Sequence, residues 1–211
     1  MDPHANQPVV SAGAPLGDSR GVVVMVHGRN AAPQNILDLL PRLARPGVTY
    51  LAPAAAGGTW YPYSFMAETS RNEPGLSSAL AALDRVVRDV VAGGIGKDHI
   101  VLLGFSQGAC LTAEFTVRHA DRYGGIILYS GGLIGPPGTR WDESLSFRGT
   151  PVFLGCSDID AHVPKDRVDE SAQVFGRMGA AVTERIYPAM GHLVNDDEIA
   201  AGQAIIDQIL K

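Results

Sequence analysis

The chain has 211 residues, 45% hydrophobic and 18% charged, the profile of a soluble globular domain long enough to bury a full core without disulfide or metal staples. Its net charge of -5 comes with no cluster of Lys or Arg, which argues against nucleic acid or an anionic membrane as a stable partner and leaves small molecules as the expected ligands. Cys110 and Cys156 have no framework or metal-ligand spacing and read as reduced thiols, and the chain shows neither a signal-like N-terminus nor an apolar run of membrane-spanning length, so the cytoplasm is the expected location.

In chain order, residues 22–26 form the first continuous apolar run, expected as a strand buried on both faces. Ile36, Leu39, Leu40 and Leu43 then recur at helical spacing, with Pro33 suited to a first helical turn. Residues 48–52 predict another strand. Leu76, Leu80, Leu83, Val87 and Val90 mark a second helix, stopped by Gly93 and Gly94. Residues 100–103, 126–129 and 152–154 are three more buried strands, and Val168, Ala172, Phe175 and Met178 give a helix after the last of them. Residues 182–187 alternate in polarity like an edge strand. Asn195 and Glu198 have capping-box spacing ahead of a final helix carrying Ile199, Ile205, Ile206 and Ile209. Strand and helix alternate throughout, which predicts a three-layer α/β sandwich with a mostly parallel sheet, as a single domain over residues 1–211. Two long segments rich in Gly, Pro and aromatics, 53–74 and 131–150, interrupt the rhythm. Both follow strand C-terminal ends, the ligand-binding edge of such sheets, so both are expected to be functional.

Gly104-Phe105-Ser106-Gln107-Gly108 matches G-x-S-x-G between a predicted strand and a helical stretch, the context in which this motif presents a nucleophile on a strained turn. A serine hydroxyl needs a histidine to take its proton, and that histidine needs an acid to hold its tautomer. Of six histidines, His192 lies in the loop before the last helix, where a base can reach the nucleophile. His4 falls in an N-terminal segment expected to be mobile, His99 precedes a strand at the wrong end, His119 fits a helix C-terminus, and His162 reads as a solvated loop residue. The acid is expected just past residues 152–154, where Asp158 and Asp160 both qualify.

Together these residues resemble the phospholipase/carboxylesterase family of small α/β-hydrolases, which includes acyl-protein thioesterases. The resemblance covers nearly the whole chain and rests on His27-Gly28 after the first core strand, the Ser106 motif, Asp160-Ala161-His162-Val163-Pro164 against the family's D-P-x-V-P, and Gly191-His192. It implies an α/β-hydrolase fold without a separate cap domain, and a Ser106–Asp160–His192 triad. The backbone N–H groups of Arg29 and Gln107 would form the oxyanion hole, with no cofactor or metal. Ala161 departs from the family's proline, and the acid loop is about two residues longer, so counting forward from Gly155 favours Asp158 while counting back from Pro164 favours Asp160. A cysteine-nucleophile hydrolase is disfavoured because Cys110 lies one turn inside the helix. Trp60, Tyr61 and Phe65 in the first long segment and Leu133 in the second are expected to wall an apolar pocket for an acyl or aryl group. The expected substrate is a small-molecule carboxylic ester with a short, medium or aryl acyl group, or a thioester or lysolipid cleaved by the same triad.

Overall fold

The computed structural model describes residues 2–211. Seven strands form one sheet in the order β1-β3-β2-β4-β5-β6-β7. They are β1 (Val9–Gly13), β2 (Gly21–Val26), β3 (Val48–Pro53), β4 (Ile100–Phe105), β5 (Gly125–Tyr129), β6 (Pro151–Ser157) and β7 (Ala181–Tyr187). All neighbours pair in parallel except β1, which runs antiparallel to β3.

The apolar runs that predict the central strands are continuous because helices cover both faces. Val22, Val24 and Val26 of β2 point into one cluster with α3 (Gly75–Ala92), α4 (Gln107–Arg118) and α5 (Lys165–Arg177). Val23 and Met25 point into the other, with α1 (Pro33–Leu37), α2 (Leu40–Leu43) and α6 (Asp196–Ile206). The two faces together make the expected three layers, with β7 at the edge.

Three local expectations are corrected. The helix expected through Ile36–Leu43 spacing is two short turns, α1 and α2, because Pro41 falls inside it and has no N–H to continue the ladder. β1 is an additional strand. The N-terminal segment around His4 is anchored: the His4 N–H donates to Ser78 Oγ at 2.8 Å, the Arg85 guanidinium donates to the His4 carbonyl at 2.9 Å, and the residue is 3% exposed.

Candidate active site

Parallel strands bring their C-terminal ends to one edge, and four of them feed the site: β2 leads to Gly28 and Arg29, β4 to Ser106, β6 to Asp160 and β7 to His192. Ser106 stands between β4 and α4 with φ 56° and ψ -123°, a backbone state costly to any side chain. The flanking glycines allow it. A β-carbon on Gly108 would collide with the carbonyls of Val26 and His27, and one on Gly104 would meet Ala109 Cα at 2.6 Å.

The Ser106 Oγ–H donates to His192 Nε2 at 2.8 Å, and His192 Nδ1–H donates to Asp160 Oδ2 at 2.6 Å. Asp160 Oδ1 accepts the N–H groups of His162 at 2.8 Å and Val163 at 3.0 Å. Burial raises the Asp160 carboxyl, but these hydrogen bonds outweigh it and hold the group below the usual carboxylate range. It is therefore an anion beside an imidazole, able to fix the tautomer and stabilise an imidazolium. Asp158 faces elsewhere, its Oδ1 accepting the N–H of Ala189 at 2.8 Å. The rings of Phe105 and His162 pack against His192 with centroids 5.0 Å and 4.8 Å away, so His162 touches the site as well as solvent.

Arg29 and Gln107 line the same cleft as Ser106. The Arg29 amide has no backbone acceptor among the described residues, and Gln107 is the first residue of α4, whose N–H has no partner inside its helix. The loop bearing Arg29 is held by His27. Its Nε2 accepts the Ala55 N–H at 3.1 Å, which leaves Nδ1 to donate to the Gly28 carbonyl at 2.8 Å. Burial keeps this imidazole below its ordinary pKa, and therefore neutral.

A cleft of about 720 Å³ opens over Ser106, walled by Ile36, Tyr61, Phe65 and Val163 with Arg29 and His162 at its sides. Tyr61 and Phe65 thus line it as expected. Trp60 and Leu133 do not. Trp60 is fully buried beneath the wall, its Nε1 donating to the His27 carbonyl at 2.9 Å and its ring centroid 5.0 Å from that of His27. Leu133 is fully buried against α5, its N–H held by Ser171 Oγ at 2.9 Å and its carbonyl by Arg167 at 2.8 Å.

Some supporting residues had no motif to mark them. The Gln107 carboxamide accepts the Trp60 N–H at 3.0 Å and donates to the Tyr61 carbonyl at 2.8 Å, tying the wall to α4. His4 reaches the same loop, Nδ1 accepting the Ala56 N–H at 3.0 Å and Nε2 donating to the Trp60 carbonyl at 2.9 Å. Behind the His192 loop, the capping box forms as its spacing predicts: Asn195 Oδ1 accepts the Glu198 N–H at 2.8 Å and Glu198 Oε2 accepts the Asn195 N–H at 2.9 Å. Glu198 is fully buried, its Oε1 has no partner, and burial pushes its carboxyl up to about 7. The Cys110 and Cys156 thiols, both free and buried, are pushed up to about 12 by burial, which keeps them protonated. Among the described residues no helix is long and apolar enough to cross a membrane.

The sequence profile of the phospholipase/carboxylesterase family matches residues 9–210. The chain belongs to that family. A phospholipase/carboxylesterase from Dyadobacter fermentans shares its fold with a TM-score of 0.90 at 41% identity, over 98% of this chain and 97% of that one. Acyl-protein thioesterase 1 of Eremothecium gossypii is 30% identical over 68% of this chain, a match spanning 63% of that protein, and the Debaryomyces hansenii protein of the same name is 23% identical over 97% of both chains. Esterase PE8, at 22% identity and a TM-score of 0.77, has the same fold.

Proposed function

We propose that this protein is a serine carboxylesterase that cleaves short- to medium-chain or aryl carboxylic esters through an acyl-enzyme. The observation that carries this reading is the unbroken hydrogen-bond chain from Ser106 through His192 to Asp160 at the floor of an apolar-walled cleft. Ser106 Oγ bonds to the ester carbonyl carbon while its proton passes to His192 Nε2. Asp160 stabilises the resulting imidazolium, and the N–H groups of Arg29 and Gln107 receive the oxyanion. As the tetrahedral species collapses, His192 returns the proton to the departing alkoxide and an acyl-Ser106 remains. Water then repeats the steps, His192 acting as base, and releases the acid. Each proton and charge has a protein group to receive it, so the scheme calls on no metal or cofactor.

A thioesterase reading uses the same steps with a thiol as leaving group, and is favoured by the name of the Eremothecium relative. A panel of p-nitrophenyl esters of rising chain length, run beside an acyl-thioester and a lysophospholipid, separates the two. Activity is expected to survive EDTA. Ser106→Ala is expected to lower kcat by about 10⁴-fold or more and to abolish fluorophosphonate labelling, and activity above a tenth of the wild type overturns the hydrolase reading. Asp160→Asn should cost about 10³- to 10⁴-fold through the wrong His192 tautomer, and Asp158→Asn about tenfold or less; the reverse ranking overturns the choice of acid.

A further inference from the structure

The cleft over Ser106 carries a charge opposite to that of the chain around it. The sequence has 22 acidic residues against 17 Lys and Arg, yet no Asp or Glu lines the cleft and Arg29 does. The Asp160 carboxylate behind His192 has no exposed surface and is occupied by His192 and two backbone N–H groups. No acid inside the cleft therefore offsets the guanidinium.

Arg29 is also held in place by groups that leave its charge uncancelled. Nη1 donates to the Pro62 carbonyl at 2.7 Å, Nη2 to the Tyr63 carbonyl at 2.5 Å, and the guanidinium lies 5.9 Å from the Tyr61 ring centre. These are neutral partners, and a guanidinium has five N–H donors, so three remain. On the same wall, the Arg71 guanidinium lies 4.5 Å over the half-exposed ring of Tyr63. Nine of the fourteen arginines have a carboxylate ion-pair partner, and among the described residues Arg29 and Arg71 are two of the five that have none. An arginine already fixed by two carbonyls loses little side-chain entropy on meeting an anion, and its fork matches a carboxylate. The anion would also lie in the same cleft as the chemistry, because Arg29, Ser106 and His192 all line it.

We infer that Arg29, supported by Arg71, makes the cleft selective for anionic esters, substrates bearing a carboxylate within a few atoms of the scissile carbonyl. This rests on the serine-esterase reading and narrows its substrate class. The side of the ester that carries the carboxylate is read out by two matched pairs of substrates. Mono-4-nitrophenyl succinate is compared with 4-nitrophenyl pentanoate for the acyl side, and 4-acetoxybenzoate with its methyl ester for the leaving-group side.

In one pair at low salt, kcat/KM for the anionic ester is expected to exceed that of the neutral one by about tenfold or more, the worth of one charged hydrogen-bonded contact. The ratio should shrink in about 0.5 M NaCl, because the contact is open to screening. Arg29→Gln keeps the backbone N–H and removes the charge, so the ratio should fall at least about fivefold, and Arg71→Gln should lower it about twofold. The ratio compares two esters on the same protein, so a partial loss of folded enzyme does not alter it. A ratio at or below one in both pairs, or one unchanged in Arg29→Gln, overturns the inference while leaving the esterase reading intact. Hydrolysis of neither ester overturns both.

Discussion

The two long segments that interrupt the sheet, 53–74 and 131–150, look alike in composition and follow strands of the same sheet, yet only the first walls the cleft. The first is drawn over Ser106 by Gln107, His27, His4 and Arg29, which hold its backbone at Ala55, Ala56, Trp60, Tyr61, Pro62 and Tyr63. The second is drawn back onto the helices. Arg167 of α5 donates to the Leu133 and Gly135 carbonyls at 2.8 Å each, and Glu114 of α4 accepts the Ile134 N–H at 3.2 Å and Trp141 Nε1 at 3.3 Å. It meets the first loop through the Gly135 N–H, which donates to the Phe65 carbonyl at 2.8 Å. Loop composition marks a segment that needs special backbone states. Which buried side chains catch its carbonyls and N–H groups decides whether it becomes a wall or a buttress.

Removing a catch is the harshest way to break this contrast. Arg167→Met leaves several buried carbonyls without a donor and should cost about 3 to 5 kcal/mol, read as a Tm fall of about 6 to 20 °C, with the relative rates for acetate and octanoate esters unchanged. A selectivity change would mean that the second loop touches substrate. Truncating one side chain in each loop sharpens the comparison. Leu133→Ala should destabilise by about 2 to 5 kcal/mol without dependence on acyl length. Phe65→Ala should add a penalty in kcat/KM that grows with acyl size to about 1 to 3 kcal/mol. Equal profiles for the two variants would erase the distinction.

The mildest test uses pH. The first loop is tied by His4 and His27, which burial holds below the ordinary histidine pKa, whereas the second is tied by no imidazole but by Arg167, which does not titrate, and by the Glu114 carboxylate. A depressed histidine pKa means that the unfolded chain binds protons first, so this stability is present above about pH 6.5 and is lost as pH falls below it. Each loop carries one of the two tryptophans, Trp60 and Trp141. Acrylamide quenching of Trp60 in a Trp141→Phe variant should rise on acidification, and quenching of Trp141 in a Trp60→Phe variant should stay level.

The sheet interior was legible because both its faces are covered, which leaves uninterrupted apolar runs at β2, β4 and β5. β1 was not, since Val9–Gly13 alternates between exposed and half-buried positions at an antiparallel edge and has no run to notice. The Ser106 motif, the His192 position and the capping box were legible because each depends on spacing along the chain. Asp160 was legible only by counting back from Pro164, which opens α5 at a fixed distance. Trp60 and Leu133 were misread because apolarity near a site does not distinguish the layer that touches ligand from the layer beneath it. His4 was misread because its partners lie more than 50 residues away.

Glu198 gives the fold a proton of its own. An exposed glutamate loses its proton near pH 4.3, but this one, buried with an unpartnered oxygen, keeps it to about 7. Folding between those values therefore takes up a proton from the buffer. The stability tied to that proton is complete below about pH 4.3 and drains away as pH climbs through the folded value. Rising pH strips protons from imidazoles, which is what a histidine base requires, and it also charges the carboxyl that caps the helix behind His192. That loss of stability runs against the His4 and His27 ties, which acid weakens, so the buried carboxyl and the buried imidazoles pull the stability of the fold in opposite directions as pH changes.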